Sequence, residues 1–143
     1  MTILDKDEQL IALLRENARL PVAELARRLG VSRTAAQVRL EKLERTGVID
    51  GYTVRLSSSF ARNRVRAMVM IKSPPANRAG VEAALAKIPA LTSLHSISGA
   101  YDLSAEISAP SVGQLDTVID QIGTLDGVAD TLSSIILSTK LDR

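Results

Sequence analysis

The apolar positions of the chain change period once, near residue 65. Upstream of that point Val22, Leu25, Ala26 and Leu29 recur at i, i+3, i+4 and i+7, the spacing of one helix face. Gly30 stops this helix, because glycine enters the left-handed region without a Cβ penalty. Ser32 then stands as an N-cap, and Ala36, Leu40 and Leu43 repeat at i, i+4 and i+7 in a second, longer helix. Ahead of both, Leu10, Ile11 and Leu14 mark a helix over Leu4–Asn17, with Asp5, Asp7 and Glu8 near its start, where the helix dipole favours acids. Asn17 to Leu20 form a turn. Pro21 suits the first turn of the next helix, where its missing N–H would be unpaired in any case. A short helix, a glycine turn and a longer capped helix predict a helix-turn-helix inside a three-helix unit. The small Ala26, four residues before Gly30, allows the two helices to approach closely.

Gly47 ends the third helix, and Val48, Ile49, Tyr52, Val54 and Leu56 have extended character. Leu56 to Asn63 holds three consecutive serines and no usable period. From Val65 onward strand spacing takes over: Val65, Ala67, Val69 and Ile71 alternate with Arg64, Arg66, Met68 and Met70. Ser73-Pro74-Pro75 breaks that strand. Val81, Leu85 and Ile88 mark a helix ended by Pro89, and Leu91 to Ser98 is a weaker strand. After a turn at Gly99-Ala100, Tyr101, Leu103, Ala105, Ile107 and Ala109 alternate against Asp102, Ser104, Glu106 and Ser108. Ser111 caps another helix with Leu115, Val118, Ile119 and Ile122 on its face, and Val128 to Lys140 reads as the last strand. The order β-α-β-β-α-β is the ferredoxin-like arrangement, one antiparallel sheet with two helices on one face. The expected fold is therefore α+β: a three-helix helix-turn-helix domain over 1–56, a linker over 57–63 and a ferredoxin-like domain over 64–143. Met68 and Met70 in the first strand, with Ile135, Ile136 and Leu137 in the last, put apolar side chains on both sheet faces. Such a sheet needs cover on both. A second copy face to face supplies it, which predicts a two-fold dimer.

Charge sharpens this division. Residues 1–66 carry 13 Lys/Arg against 8 Asp/Glu, and residues 67–143 carry 5 against 8. The basic half calls for a polyanion and the acidic half for a different partner. The chain has no cysteine, which excludes disulfides and thiolate metal sites. A single histidine, His95, excludes a multi-histidine metal centre, and His95 reads as a packed or surface residue. Asp116 and Asp120 share a helix face and read as solvated acids rather than metal ligands. No run approaches a membrane span and the N-terminus lacks a signal pattern, so a cytoplasmic protein is expected. Aromatic residues are too few for a single-strand stacking platform.

These charges give the second helix of the pair its meaning. Arg33, Thr34 and Gln37 point away from its apolar stripe, at the N-terminal end that a recognition helix sets against base edges in the major groove. Arg can pair with guanine, Gln with adenine, and Thr can offer a methyl or hydroxyl to thymine. Arg19, Arg39, Lys42 and Arg45, with Arg27 and Arg28, are candidates for phosphate contacts, which supply affinity and register.

The whole order resembles the Lrp/AsnC (leucine-responsive/asparagine-type) transcription regulators. The resemblance is carried by Leu4-Asp5 with the acids that follow it, ahead of Asn17-Ala18-Arg19, and by Glu24-Leu25-Ala26 with Gly30-Val31-Ser32. It is carried further by Arg39-Leu40 through Gly47-Val48-Ile49-x-Gly51-Tyr52, and by Gly99-Ala100-Tyr101-Asp102. It implies a dimer, in many members an octamer, that binds double-stranded operator DNA and senses a small molecule, usually an amino acid, with no other cofactor. It also implies that Gly99, Tyr101 and Asp102 border the effector pocket between dimers, and that Thr131 and Ser133 match the family's T-x-T positions on the last strand. Asp102 can then accept from an effector's ammonium, and hydroxyls and backbone N–H groups can bind its carboxylate. Pro21 replaces the family's frequent capping Ser or Thr, and Ala100 its frequent acidic residue. Val38 stands where a polar residue is usual, and either touches a thymine methyl or packs locally. Tetrapyrrole (sirohaem) decarboxylases look like this family in both domains, but such an enzyme would want more His and Arg than Lys72, Arg78, Lys87, His95, Lys140 and Arg143 provide. An architectural protein that coats DNA is the remaining alternative, separated by the ratio of operator to random-DNA affinity. The expectation is a regulator and not an enzyme.

Overall fold

The computed structural model describes residues 5–57 and 59–142. They fall into two compact units divided between Arg55 and Leu56. The first holds α1 (Lys6–Glu16), α2 (Val22–Leu29) and α3 (Arg33–Arg45). Asp5 caps α1 by accepting from the Glu8 N–H at 2.7 Å, so the helix proper starts at Lys6; Leu4, expected as its first residue, lies outside the described residues. Pro21 is not in the first turn of α2 but is its N-cap, with extended backbone. Gly30 ends α2 at φ +69°, and the Val31 N–H closes back on the Ala26 carbonyl. Ser32 caps α3, accepting from Ala35 at 3.1 Å. Leu10, Leu14, Leu25, Leu29 and Leu43 form the core of this unit. Two long side chains brace it: Lys6 donates to the Leu29 carbonyl at 2.6 Å, and Arg39 pairs with Asp7 at 3.0 Å.

The second unit contains a short 3-10 turn at Ala61–Asn63, then β1 (Val65–Lys72), α4 (Pro75–Ala86), β2 (Leu91–Ser96), β3 (Leu103–Ala109), α5 (Val112–Gly123) and β4 (Asp130–Ile136). The sheet is antiparallel with order β2-β3-β1-β4, so the ferredoxin-like topology holds. Ala67, Val69 and Ile71 of β1 and Leu103, Ala105 and Ile107 of β3 are buried with Val81 and Leu85 of α4 and Leu115 and Ile122 of α5. Because side chains alternate, Arg66, Met68 and Met70 of β1 take the other face. There Met70 stands between Ser104 and Leu132, and Met68 between Glu106 and Ser134. Met68 is 47% exposed and Leu132 54%.

Three strand ends differ from the periodic reading. Strand β2 stops at Ser96 rather than Ser98, and β4 covers Asp130–Ile136 rather than 128–140. Strand β3 begins at Leu103, because the chain bends at Asp102, whose N–H still bonds to the Ile71 carbonyl and whose carbonyl accepts from Ile97. Tyr101 and Asp102 therefore do not belong to the strand whose alternation they continue. Among the described residues no helix is long and apolar enough to cross a membrane.

Candidate DNA-binding face and effector turn

In α3 the buried stripe is Ala36 and Leu43, with Leu40 half-buried beside it. Thr34, Val38, Glu41 and Arg45 recur at i, i+4, i+7 and i+11 on the outward side and all are exposed. Arg33 is exposed at the helix start. Gln37 is half-buried on the flank and donates its side-chain N–H to Glu41 at 2.7 Å. The first turn of α3 holds no acid, so its free N–H groups and positive dipole end are open to a phosphate. Lys42 and Arg45 are exposed in the last turn. Arg19 is also exposed, at a turn where its N–H bonds to the Asn17 side chain at 3.0 Å. Arg39 differs from the others: it is half-buried and held by Asp7. Arg27 and Arg28 both bond to Glu24. These two hydrogen bonds, that of Arg27 foremost, pull the Glu24 carboxyl down to a pKa of about 2, and the same contact raises that of Arg27. Three of the basic side chains that suit phosphate are therefore already engaged with acids of their own unit.

The turn before β3 is organised from a distance. Gly99 has φ +124°, and the N–H groups of Gly99, Ala100 and Tyr101 donate to no other described residue. Asp102 is committed inside the chain: one carboxylate oxygen pairs with Arg78 at 3.0 Å, and the other accepts from the Ser73 N–H at 2.9 Å. Arg78 also donates to the Ser73 carbonyl at 2.8 Å, while its Nε is buried with no partner among the described residues. Ser73 is 1% exposed, and its hydroxyl donates to the Gly127 carbonyl at 2.9 Å. Lys72 lies 5.9 Å from the centre of the Tyr101 ring, within cation–π range. Thr131 and Ser133 lie on the helix side of β4, opposite Ile71 and Val69; Thr131 is half-buried and Ser133 exposed. No hydrogen bond among the described residues joins either to the turn. The geometry thus brings Asp102 together with Ser73, Arg78 and Gly127, three residues that local sequence reasoning did not single out. The available signal was scarcity, since Arg78 is one of few cations in the acidic half. Chemically, the turn offers free N–H donors to an anion, with a carboxylate behind them that is already neutralised.

Residues 66–143 match the Lrp/AsnC ligand binding domain, and residues 5–44 match the AsnC-type helix-turn-helix domain. The chain is 32% identical to the HTH-type transcriptional regulator LysM of Saccharolobus solfataricus, with 94% of each chain covered. The AsnC structure of E. coli superposes with a TM-score of 0.85 at 28% identity, covering 100% of this chain and 97% of that one. A transcriptional regulator from Neisseria meningitidis in complex with L-Met gives a TM-score of 0.85 at 24% identity, covering 99% and 94%.

Proposed function

Because the chain belongs to the Lrp/AsnC family of transcriptional regulators, we propose that it reads a specific operator with α3 and that a small effector at the Gly99–Asp102 turn governs its assembly and, through assembly, its DNA binding. The observation that carries this reading is the outward side of α3, where exposed Arg33 and Thr34 and flanking Gln37 sit at an acid-free helix start. Lys42, Arg45 and Arg19 hold phosphates; Arg39, tied to Asp7, positions α3 and contributes charge at its edge. The regulator is a homodimer through the open sheet face, and dimers assemble further, up to an octamer. Its place of action is the compartment that holds the chromosome, the cytoplasm. Relatives that are named transcriptional regulators favour this over a tetrapyrrole decarboxylase, and the polar stripe on α3 favours it over a protein that coats DNA without sequence preference.

The effector is an amino acid or a close analogue. The neighbour solved with L-Met supports that class. The site is built from Gly99, Tyr101 and Asp102, with Thr131 and Ser133 from a neighbouring dimer. With Asp102 engaged by Arg78 and Ser73, the effector's carboxylate meets the free N–H groups of the turn, and Asp102 acts on its ammonium only with the lone pairs those bonds leave.

The test begins with selection of bound sequences from a random duplex pool. Arg33→Ala and Gln37→Ala are then measured on the selected site and on random DNA. Each is expected to lose roughly 1–3 kcal/mol on the selected site and far less on random DNA. Intact affinity in both variants would remove α3 from the groove. A thermal-shift screen of amino acids identifies the effector, since a ligand that binds only the folded state raises the melting temperature.

A further inference from the structure

Val38 is anomalous on its helix. It is 58% exposed and lies outside the set of residues packed around the first unit's core. Two residues from buried Ala36, it is rotated about 200° from that side chain. Packing into the core of its unit is thereby excluded as its role. A β-branched residue also lowers helix propensity, so an exposed Val inside α3 serves neither the core nor the helix. Its neighbours along the outward stripe are Thr34, one turn before, and Glu41, one turn after. Gln37 and Glu41 are joined to each other, which leaves the Val38 methyls as a separate apolar projection in polar surroundings. In a major groove the apolar group available to such a projection is the C5 methyl of thymine.

We propose that Val38 is a specificity-determining residue that reads a thymine by its methyl group, one step further along the groove than the bases met by Arg33 and Thr34. This rests on the reading that α3 enters the major groove. It adds a base preference that requires no hydrogen bond, so it is erased by removing a methyl and unaffected by any change that leaves the methyl in place.

The chemistry supplies its own probe, because deoxyuridine pairs as thymidine does but lacks the methyl. The full-length protein and Val38→Ala are titrated, by fluorescence anisotropy, against the selected site and against versions with each thymine replaced in turn by deoxyuridine in both half-sites. At one thymine per half-site the wild type is expected to lose about fourfold per substituted half-site, the worth of one buried methyl-sized group. At that thymine Val38→Ala, whose remaining methyl is set back by one carbon, is expected to lose most of this discrimination and to bind both sites near the level of the wild type on deoxyuridine. Val38 is exposed and Ala is the better helix former, so the variant keeps its fold, which circular dichroism verifies. A selected site at which no deoxyuridine weakens the wild type overturns the proposal and leaves the DNA-binding reading standing. The same holds if Val38→Ala responds to deoxyuridine as the wild type does. A pool that yields no preferred sequence overturns both.

Discussion

Asp102 has both carboxylate oxygens committed, one to Arg78 and one to the Ser73 N–H, and these ties hold the turn against α4 and the end of β1. Asp102→Ala leaves the Ser73 N–H and the Arg78 guanidinium short of an acceptor in a partly buried place, and is expected to cost about 1–3 kcal/mol of stability besides weakening the effector response. Asp102→Asn keeps an acceptor and is expected to lose less. Urea denaturation of the two variants decides it: an Asp102→Ala protein as stable as the wild type would show that the network does not hold the turn. Glu24 makes a second case at this scale. Its carboxyl is lowered from 4.5 to about 2, so its ion pairs contribute fully above pH 4.5 and are lost as the pH falls from there through about 2. The site is exposed and salt screens it, so it adds little to stability. Glu24→Gln is expected to free Arg27 and Arg28, tighten binding to random DNA and steepen its salt dependence, by about one unit of log–log slope per arginine that reaches a phosphate. An unchanged slope would place both arginines away from the DNA backbone.

At the scale of elements, the joint between α4 and the turn before β4 depends on a missing side chain. A Cβ on Gly127 would stand 2.8 Å from the Asn77 Cβ and 3.0 Å from Val81, and its φ of +92° disfavours any L side chain. Gly99 has the second problem without the first, since nothing lies near its absent Cβ. Gly99→Ala is therefore expected to cost about 1–3 kcal/mol from backbone strain alone, and Gly127→Ala measurably more, because α4 must shift as well. Equal urea midpoints for the two variants would contradict the close approach. Elements of this kind were legible in the sequence where their causes are local. Ser32, Gly30 and Ser111 mark caps and stops within a few residues, and the alternation of Ala67, Val69 and Ile71 marks a strand with one buried face. Strand ends were less so. Tyr101 continues the apolar alternation of β3, but the chain bends at Asp102 and the strand starts only at Leu103. The same holds for the site: the exposed face of α3 follows from helical spacing, whereas Arg78 reaches Asp102 from 24 positions away, and nothing near either residue announces the contact.

For the whole molecule, the proposed dimer can be tested at the open sheet face. Met68 and Leu132 lie on it, and a charge at either place would be desolvated by a facing copy. Met68→Asp and Leu132→Asp are expected to sediment as monomers at micromolar concentration. They should also lose about 10²–10⁴ in operator affinity, the avidity of paired half-sites. Dimers that persist in both variants would move the interface elsewhere. The sheet order β2-β3-β1-β4 has a further consequence, in time rather than in space. Strand β1 pairs with two strands that follow it at long range, Arg66 meeting Ile136 and Val65 meeting Ala109, whereas α1, α2 and α3 pack with near neighbours in the chain. Short loops close quickly and distant strands meet slowly. On refolding, pulse-labelled hydrogen exchange should find the α1–α3 amides protected before those of β1, and simultaneous protection would count against it. If α3 reads DNA and the sheet face pairs two copies, as proposed, that order would give each chain its reading helix before the surface by which it finds a twin, and newly folded molecules would meet DNA singly before they meet it in pairs.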